Sequence, residues 1–170
     1  MPKLGVLTIS DAGSRGERQD TSGDAIVEIM SELGFQVTCR EVVPDDQEMI
    51  AEWLRHWAGE ADLLLTTGGT GLGLRDITPE ATSMVIDRPV PGLGELMRQG
   101  TQQKTPMSML SRAVAGARGS CLIINLPGSQ RGVRECLTVL IPLLPHALEL
   151  LHGPVRQHPT DQKPKGSTKN

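Results

Sequence analysis

The sequence has almost no aromatic side chains: of its 170 residues, two are tryptophan, one is phenylalanine and none is tyrosine. Proteins that bind single-stranded nucleic acid usually stack the bases on aromatic side chains, so this scarcity argues against a nucleic-acid partner. Trp53 and Trp57 fall on one face of a predicted helix. That position predicts that the two side chains pack in the core or at an interface and do not form a ligand-binding site.

Cysteine is also scarce, and its spacing excludes the common cysteine-based sites. Cys39, Cys121 and Cys136 are odd in number and far apart, with no C-x-x-C pair, so we predict three buried free thiols and no metal cluster. The segment at residues 1–10 is too short and too polar after Ile9 for a signal peptide, and the sequence offers no window of transmembrane length. We therefore expect a cytoplasmic protein with no membrane contact.

A broad positive surface is missing as well. The net charge is −3, and the last 17 residues carry four basic side chains against one acidic one, so the preceding 153 residues carry a net charge of −6. A phosphate ligand must therefore be held by local groups and not by a general positive field.

Apolar runs alternate with amphipathic segments along residues 1–153, which predicts one α/β domain. The apolar runs are nearly continuous, as is typical of a mostly parallel sheet covered by helices on both faces. The segment 105–119 is compatible with a short helix, an edge hairpin or both. Residues 154–170 are polar and proline-rich, and we predict a disordered tail. The predicted strands cover residues 3–10, 35–43, 62–67 and 120–126, and the predicted helices cover 22–33, 45–58, 92–103 and 129–151, with one more beginning at Thr78.

Glycine is abundant where these strands end. The stretch LLLTTGGTGLGLRD, residues 63–76, matches neither a Walker-type phosphate loop nor a G-x-G-x-x-G dinucleotide motif. Small polar residues also follow the first strand at Ser10-Asp11 and the last strand at 125–129. A single loop of this kind is explained equally well by a tight turn, but three at one sheet edge, each near a helix start, predict an anion site.

Two carboxylates, Asp45 and Asp76, are predicted at the same edge. Each precedes a predicted helix, and helix capping is the favoured interpretation of both from the residues alone. Carboxylates that face a phosphate ligand imply a divalent cation between them, and Mg²⁺ suits that role. The residues alone therefore predict a nucleotide or phosphorylated-cofactor site without naming the ligand.

The order of these motifs identifies a family. The sequence resembles the molybdopterin adenylyltransferases of molybdenum cofactor biosynthesis in TISD, DTSG, VVPDD, LTTGGTG, RDITPEAT, VPGLGELMR, TPMSMLSRAVAGARGSCLIINLPGS and ECL, which span nearly all of residues 4–152. The resemblance implies a three-layer α/β molybdopterin-binding fold and a homotrimer. It also implies a reaction in which ATP and molybdopterin give adenylylated molybdopterin and pyrophosphate with Mg²⁺.

The resemblance also implies roles for particular residues. Asp45 and Asp76 match the family's catalytic, metal-associated aspartates. The nucleotide-contacting loop matches Gly68, Gly69, Thr70 and Gly71. The pocket for the pterin and phosphate matches Ser10, Asp11, Ser111, Arg112, Asn125, Pro127, Gly128 and Ser129. The chain departs from common family patterns at Leu74, where relatives often carry proline, and at Ser129-Gln130, where some carry Asn-Pro.

Two other functions share this resemblance. A non-catalytic module that binds or carries molybdopterin would have the same fold, but the presence of both aspartates favours an enzyme. Molybdate-inserting transferases use a related domain within much longer chains. Transient contacts with other enzymes of molybdenum cofactor synthesis are compatible with either pathway role.

Overall fold

A single six-stranded sheet forms the centre of the computed structural model, which describes residues 1–153. The strand order is β2-β1-β3-β6-β5-β4. Pairing is parallel from β2 through β6, whereas β5 runs antiparallel to β6 and β4 antiparallel to β5. This confirms the predicted mostly parallel α/β fold. The strands are β1 (Lys3–Ile9), β2 (Gln36–Val43), β3 (Leu63–Thr67), β4 (Arg88–Pro89), β5 (Ala115–Arg118) and β6 (Cys121–Leu126).

Helices cover both faces of the sheet, because the central strands are apolar on both sides. In β3, Leu63 and Leu65 pack into one core with α2, α5, α6 and α7, whereas Leu64 packs into the other core with α3 and α4. Three layers result, as the apolar runs predicted. The helices are α1 (Asp11–Ser14), α2 (Thr21–Glu32), α3 (Gln47–Trp57), α4 (Thr78–Ser83), α5 (Pro91–Thr101), α6 (Gln130–Leu140) and α7 (Leu144–His152), with 3-10 turns at Pro106–Leu110 and Ile141–Leu143.

Most predicted elements are confirmed to within a few residues, and the ambiguous segment 105–119 contains both alternatives. It forms the 3-10 turn Pro106–Leu110 and then β5, which makes a hairpin with β6. Helix α1 and strand β4 were not predicted. Their four and two residues are too few to show any periodicity.

The prediction of three buried thiols is correct for two cysteines and wrong for Cys39. Cys121 and Cys136 are buried and unpaired, and burial raises the pKa of each thiol to about 12. Cys39 is partly exposed because it lies in β2, an edge strand in which most residues are exposed or only partly buried.

The segment from Gln130 to His152 corrects the expectation about transmembrane length. Its 23 helical residues have a mean hydropathy of 1.2, so by length and composition alone the segment could cross a membrane. The helix is interrupted at Ile141–Leu143, and its side chains Val133, Leu137 and Leu148 pack in the core against the sheet. We interpret it as a core helix of this domain.

The predicted division at residue 153 stays a prediction. The fold of residues 1–153 is one sheet with its two covering layers. The predicted disordered tail, residues 154–170, lies outside the described residues.

Candidate functional site

Three loops meet at the carboxyl edge of the sheet because β1, β3 and β6 are adjacent and parallel. The loops after β3 and β6 are joined directly: the Thr67 hydroxyl donates to the Pro127 carbonyl at 2.7 Å, and the Gly68 amide donates to the Leu126 carbonyl at 3.3 Å. The predicted convergence of these loops is therefore present. It matches the position at which parallel α/β sheets bind ligands.

Glycine is required at two consecutive positions of the loop after β3. Gly68 and Gly69 have φ angles of +100° and +65°, a region that L side chains rarely adopt. A Cβ atom on Gly68 would collide with the Ile9 carbonyl, and one on Gly69 would collide with the Thr78 hydroxyl and approach Asp45 Oδ1 to 3.2 Å. The loop is thus a tight turn, and it also presses against the loop after β1 and against a predicted catalytic aspartate.

Asp45 is held by a reciprocal pair of hydrogen bonds with Asp11. The Asp11 amide donates to Asp45 Oδ2 at 3.2 Å, and the Asp45 amide donates to Asp11 Oδ1 at 3.0 Å. Arg75 donates to both carboxylate oxygens of Asp11, at 2.6 and 3.0 Å, and to the Asp45 carbonyl at 3.2 Å. These contacts fix the loops after β1 and β2 and the glycine loop to one another at Asp45.

The helix-cap interpretation is wrong for both predicted aspartates. The N-cap of α3 is Asp46, whose carboxylate accepts from the Met49 amide at 2.9 Å. Helix α4 begins after Ile77 and has no side-chain cap, while Asp76 Oδ2 accepts from the Gly73 amide at 2.9 Å within the glycine loop. Neither Asp45 nor Asp76 caps a helix, and the structural role that the hydrogen bonds give each of them is to hold its loop.

The electrostatics of the site favour a cation. Burial, followed by the neighbouring charge of Asp11, raises the pKa of Asp45, and Asp76 adds to the effect. The hydrogen bond from Arg75 lowers the pKa of Asp11, so that carboxylate is already neutralised by a partner. Asp45 and Asp76 line the same cavity, and a cation held by both carboxylates would stabilise their ionised forms.

The donor set fits Mg²⁺ and leaves room for substrate oxygens. Among residues 1–153 there is no group of three or more histidine, cysteine, aspartate or glutamate side chains that could hold a metal ion. Asp45 and Asp76 offer two hard oxygen ligands, and Mg²⁺ is commonly held by one or two carboxylates together with water and substrate phosphates. The site thus fits a Mg²⁺ ion whose remaining ligands are water and phosphate oxygens of the substrate.

Two cavities open on either side of the glycine loop, and they share Gly69, Asp76, Gly128 and Ser129. The first, here called the apolar chamber, has a volume of about 430 Å³. The second, here called the polar chamber, has a volume of about 390 Å³. The apolar chamber is distinguished by Met97, Met107, Leu110, Ala113 and Cys136. The polar chamber is distinguished by Thr8, Ser10, Asp11, Arg18, Asp20, Thr21 and Asp45.

The structure places most of the predicted site residues on these walls. Gly69, Gly128 and Ser129 line both chambers. Ser10, Asp11 and Gly68 line the polar chamber, and Thr70, Gly71, Ser111 and Pro127 line the apolar chamber. Ser129 is also the N-cap of α6, accepting from the Gly132 amide at 3.0 Å, so the start of that helix is directed at the shared wall.

Arg112 lies behind the glycine loop and does not line either chamber. Its guanidinium donates to the Gly71 carbonyl at 2.8 Å and to the Asp76 carbonyl at 2.6 Å, and it forms an ion pair with Glu80. Its backbone amide donates to the Thr70 carbonyl at 2.9 Å. Arg112 therefore fixes the shape of the loop that carries Asp76.

Asn125 is completely buried beneath the site. Its amide nitrogen donates to the hydroxyls of Thr66 and Thr82, both at 2.9 Å, and its carbonyl oxygen accepts from the Val114 amide at 3.2 Å. All of its polar atoms are used within the protein. In this structure the residue supports the site from below and does not face either cavity.

Several lining residues were missed by the sequence analysis. Arg18 and Thr21 line the polar chamber, and Arg98 and Glu135 line the apolar chamber. For Arg18 and Thr21 a signal existed, because the segment between β1 and α2 leaves the carboxyl end of a strand. Arg98 and Glu135 lie within helices, and their only sequence signal is that they fall in the family motifs VPGLGELMR and ECL.

Comparison with known proteins places this geometry among its relatives. Residues 5–146 match the family described as "Probable molybdopterin binding domain". The chain is 45% identical over 157 residues to the molybdopterin adenylyltransferase of Helicobacter pylori strain J99, covering 88% of each chain. It is 36% identical over 169 residues to the molybdopterin adenylyltransferase of Escherichia coli K12, covering 89% of this chain and 86% of that one. The crystal structure of the molybdopterin biosynthesis enzyme MoaB from Thermus thermophilus is 56% identical and superposes with a TM-score of 0.84, covering 89% of this chain and 96% of that one.

Proposed function

The chain belongs to the molybdopterin-binding domain family, and from that membership we infer that it is a molybdopterin adenylyltransferase of molybdenum cofactor biosynthesis. In the reaction, an oxygen of the terminal phosphate of molybdopterin attacks the α-phosphorus of ATP. A new P–O bond forms there, the bond from the α-phosphorus to the β-phosphate breaks, and pyrophosphate leaves. The products are adenylylated molybdopterin and pyrophosphate.

The observation that carries this proposal is the pair of chambers that meet at Gly69 and Asp76. A transfer between two phosphorylated ligands needs two binding spaces with a common boundary, because the attacking and leaving oxygens lie on opposite sides of the transferred phosphorus. The common wall contains glycine backbone, the start of α6 and a carboxylate. Exposed amides and a helix start stabilise negative charge that develops at that boundary.

We assign the ring of molybdopterin to the apolar chamber and the phosphates of ATP to the polar chamber. Methionine, leucine and alanine side chains on one side suit a flat organic ring, whereas hydroxyls, backbone amides and aspartates on the other side suit phosphates and their counter-ion. The terminal phosphate of molybdopterin would then reach the shared wall from one side, and the α-phosphate of ATP from the other.

Asp45 and Asp76 are the residues that would hold Mg²⁺. The ion, when bound, neutralises charge on the phosphates and so lowers the barrier to attack. The chain's own part is positional: the Asp11 amide orients the carboxylate of Asp45, and the Gly73 amide and Arg112 fix the loop that carries Asp76. The glycines at the shared wall have no side chains, so the ligand phosphates can approach the main chain there.

A non-catalytic carrier of molybdopterin would need the apolar chamber only. Burial, followed by the neighbouring charge of Asp11, raises the pKa of Asp45, so this carboxylate lies in surroundings that disfavour its charge, next to the proposed phosphate site. A protein that only bound an anion would be better served by a neutral or basic side chain there. This arrangement favours the enzyme over the carrier.

We also propose that the protein forms a homotrimer, as the family resemblance implies. The supporting observation is a group of exposed apolar side chains on two segments joined by the Arg112–Thr70 and Arg112–Gly71 hydrogen bonds. Leu72 and Leu74 lie on one segment, and Met107 and Met109 on the other, with exposures of 67%, 102%, 69% and 50%. Surfaces of this kind usually bind other proteins. Light scattering should give the mass of three chains of 18.3 kDa, and the mass of one chain would remove the trimer.

The proposed place of action is the cytoplasm, with transient contacts to other enzymes of the pathway. The support is chemical: Cys121 and Cys136 are unpaired thiols, as expected in a reducing compartment. Neither proposal alters the chemistry of the site.

The experiment that tests the proposed function is incubation of the full chain with molybdopterin, ATP and Mg²⁺. We expect mass spectrometry to find adenylylated molybdopterin, and a phosphate assay after treatment with pyrophosphatase to find pyrophosphate in equal amount. Omission of any one component should abolish both products. If molybdopterin binds and no product forms, the carrier function is correct instead.

A further inference from the structure

The polar chamber contains one basic side chain that nothing in the family resemblance assigns, and that side chain has no partner within residues 1–153. Arg18 is exposed and lines the chamber together with Gly68, Gly69 and Asp45. It makes no hydrogen bond or ion pair with any residue between 1 and 153. Within residues 1–153, no side chain competes with a ligand for this charge.

Apart from Asp45 and Asp76, which we assign to Mg²⁺, the other charged groups of this chamber already have partners. Asp11 is paired with Arg75, and Asp20 accepts from Arg40 at 3.0 Å, from the Thr8 hydroxyl at 2.9 Å and from the Gly23 amide at 2.9 Å. The neighbouring loop residues are committed too. Arg15 forms an ion pair with Glu17 at 2.9 Å, and Gln19 bonds to Asp24.

The loop that carries Arg18 is anchored at its base. The Gly16 amide donates to the Gly13 carbonyl at 3.0 Å, and the Glu17 amide donates to the Ala12 carbonyl at 3.0 Å. Asp20, two residues beyond Arg18, is fixed as the N-cap of α2. Arg18 thus lies on a short segment whose backbone is held at both ends, so binding of an anion by Arg18 does not require this segment to be ordered first.

The net negative charge of the protein explains why a local cation is needed to bind a polyphosphate. Residues 1–153 carry a net charge of −6, so no broad positive field draws a polyphosphate into the chamber. Mg²⁺, which Asp45 and Asp76 would hold, would neutralise only part of the charge of the phosphates. The leaving pyrophosphate carries most of the negative charge of ATP, and it must lie on the side of the α-phosphate away from molybdopterin.

We propose that Arg18 binds the β- and γ-phosphates of ATP and holds the pyrophosphate group as it leaves. The inference rests on the proposed adenylylation and names a contact for its leaving group. No covalent step involves Arg18; the guanidinium donates hydrogen bonds to phosphate oxygens before and after the P–O bond breaks. A planar guanidinium suits such oxygens in a bidentate arrangement.

The test uses pyrophosphate with Mg²⁺ as the ligand and calorimetry as the readout, so it does not depend on turnover. Arg18→Gln should weaken pyrophosphate binding about tenfold, since it removes a charge-assisted contact and keeps a side chain of similar reach. Arg15→Gln is the matched control. Arg15 lies three residues away, is exposed and paired with Glu17, and lines neither chamber, so pyrophosphate should bind as to the wild type.

Measurements with ATP and with molybdopterin distinguish which of the two substrates has the phosphate that Arg18 contacts. Arg18→Gln should raise the KM for ATP about tenfold, from loss of the same contact, and leave the affinity for molybdopterin unchanged. If Arg18→Gln binds pyrophosphate as tightly as the wild type, or if the loss falls on molybdopterin instead, the assignment is wrong. Failure of the proposed function looks different: the wild type would form no adenylylated product, while its binding of pyrophosphate would still depend on Arg18.

Discussion

The two chambers share one wall and differ in nearly everything else. The polar chamber is built at the ends of β1, β2 and β3, and its hydrogen bonds run between loops, as in the Asp11–Asp45 pair. The apolar chamber is built from α5, the 3-10 turn Pro106–Leu110 and α6, and side-chain packing shapes it. Strand ends in a parallel sheet therefore supply the chemistry, whereas the helical elements supply the space for a ring. This division gives each chamber a separate mutational test.

The largest effect is expected for Asp76→Asn, which changes the shared wall. An amide is a poor ligand for Mg²⁺, so turnover should fall by about 10²-fold or more, equivalent to at least ~3 kcal/mol of lost transition-state stabilisation. The Asn oxygen can still accept from the Gly73 amide, so the melting temperature and the affinity for molybdopterin should change little. Turnover, melting temperature and molybdopterin affinity are measured on the same preparation.

Asp46→Asn is the control for that substitution. Asp46 caps α3 beside Asp45, and asparagine caps about as well as aspartate, so activity and stability should stay near those of the wild type. Near-normal adenylylation by Asp76→Asn would show that Asp76 holds the loop alone and takes no part in metal binding.

The second effect is expected for Gly69→Ala, because Gly69 lines both chambers. The new methyl group would collide with the Thr78 hydroxyl at a φ of +65°, so the loop must shift at a cost of roughly 1–3 kcal/mol. A shift that moves Asp45 or Asp76 should lower turnover about tenfold, because small displacements of positioned groups are costly in catalysis. The same shift should weaken the binding of both ATP and molybdopterin. Chemical denaturation and the two binding constants measure these changes.

Gly92→Ala is the matched glycine control. Gly92 lies in α5 with no atom within 4 Å of an added Cβ, and its φ is negative, so this variant should fold and turn over as the wild type does. If Gly69→Ala loses affinity for one ligand alone, the two chambers do not share a wall in the working protein.

A smaller and selective effect is expected for Met107→Ala on the apolar side. Met107 is 69% exposed and lines the apolar chamber, so its truncation removes ring contact without opening the core. Because Met107 also belongs to the proposed trimer surface, light scattering checks that the variant keeps the mass of the wild type. The affinity for molybdopterin should fall about three- to fivefold, in line with the loss of part of a methionine's apolar contact, and the KM for ATP should hold. Met49→Ala, an exposed methionine on α3, should change neither value. A loss that falls on ATP would reverse the assignment of the chambers.

The smallest expected effect concerns stability on the polar side. The pKa of Asp45 is raised in the folded protein, so ionised Asp45 opposes folding at neutral pH. Without Mg²⁺, Asp45→Asn should therefore melt slightly above the wild type at pH 7. The difference should shrink as the pH falls through the raised pKa towards the ordinary value of 3.8, where the wild-type carboxyl is protonated.

Asp11→Asn should show the opposite sign in the same melting experiment. Arg75 lowers the pKa of Asp11, so that carboxylate stabilises the folded state at neutral pH, and the benefit disappears as the pH falls through the lowered pKa. Melting curves from neutral pH down to about pH 3, just below the ordinary aspartate pKa, measure both slopes on the two variants. Parallel curves would show that the charges of Asp11 and Asp45 are not coupled to folding in the way the hydrogen bonds indicate.

Sequence reasoning succeeded where chemistry is local. The apolar strands, the glycine loop and the two aspartates could all be recognised because each signal lies within a few residues, and the strand ends then had to meet. It failed where a residue's role depends on a distant partner. That Asp46, and not Asp45, caps α3 depends on how the chain turns after Pro44. The family resemblance assigns Arg112 to the pocket wall. Its side chain instead donates to the carbonyls of Gly71 and Asp76, which lie 41 and 36 residues earlier in the chain.

The buried Asn125 shows how the fold selects its own strand alignment. One side chain holds β6 to β3 through Thr66, to α4 through Thr82 and to the segment before β5 through Val114. A slip of β6 by one residue would place an apolar side chain at this point and leave hydroxyl and amide groups unsatisfied in the interior, at a cost of roughly 1–3 kcal/mol for each. Misregistered arrangements of the sheet are thereby disfavoured in free energy, whether or not a ligand is bound.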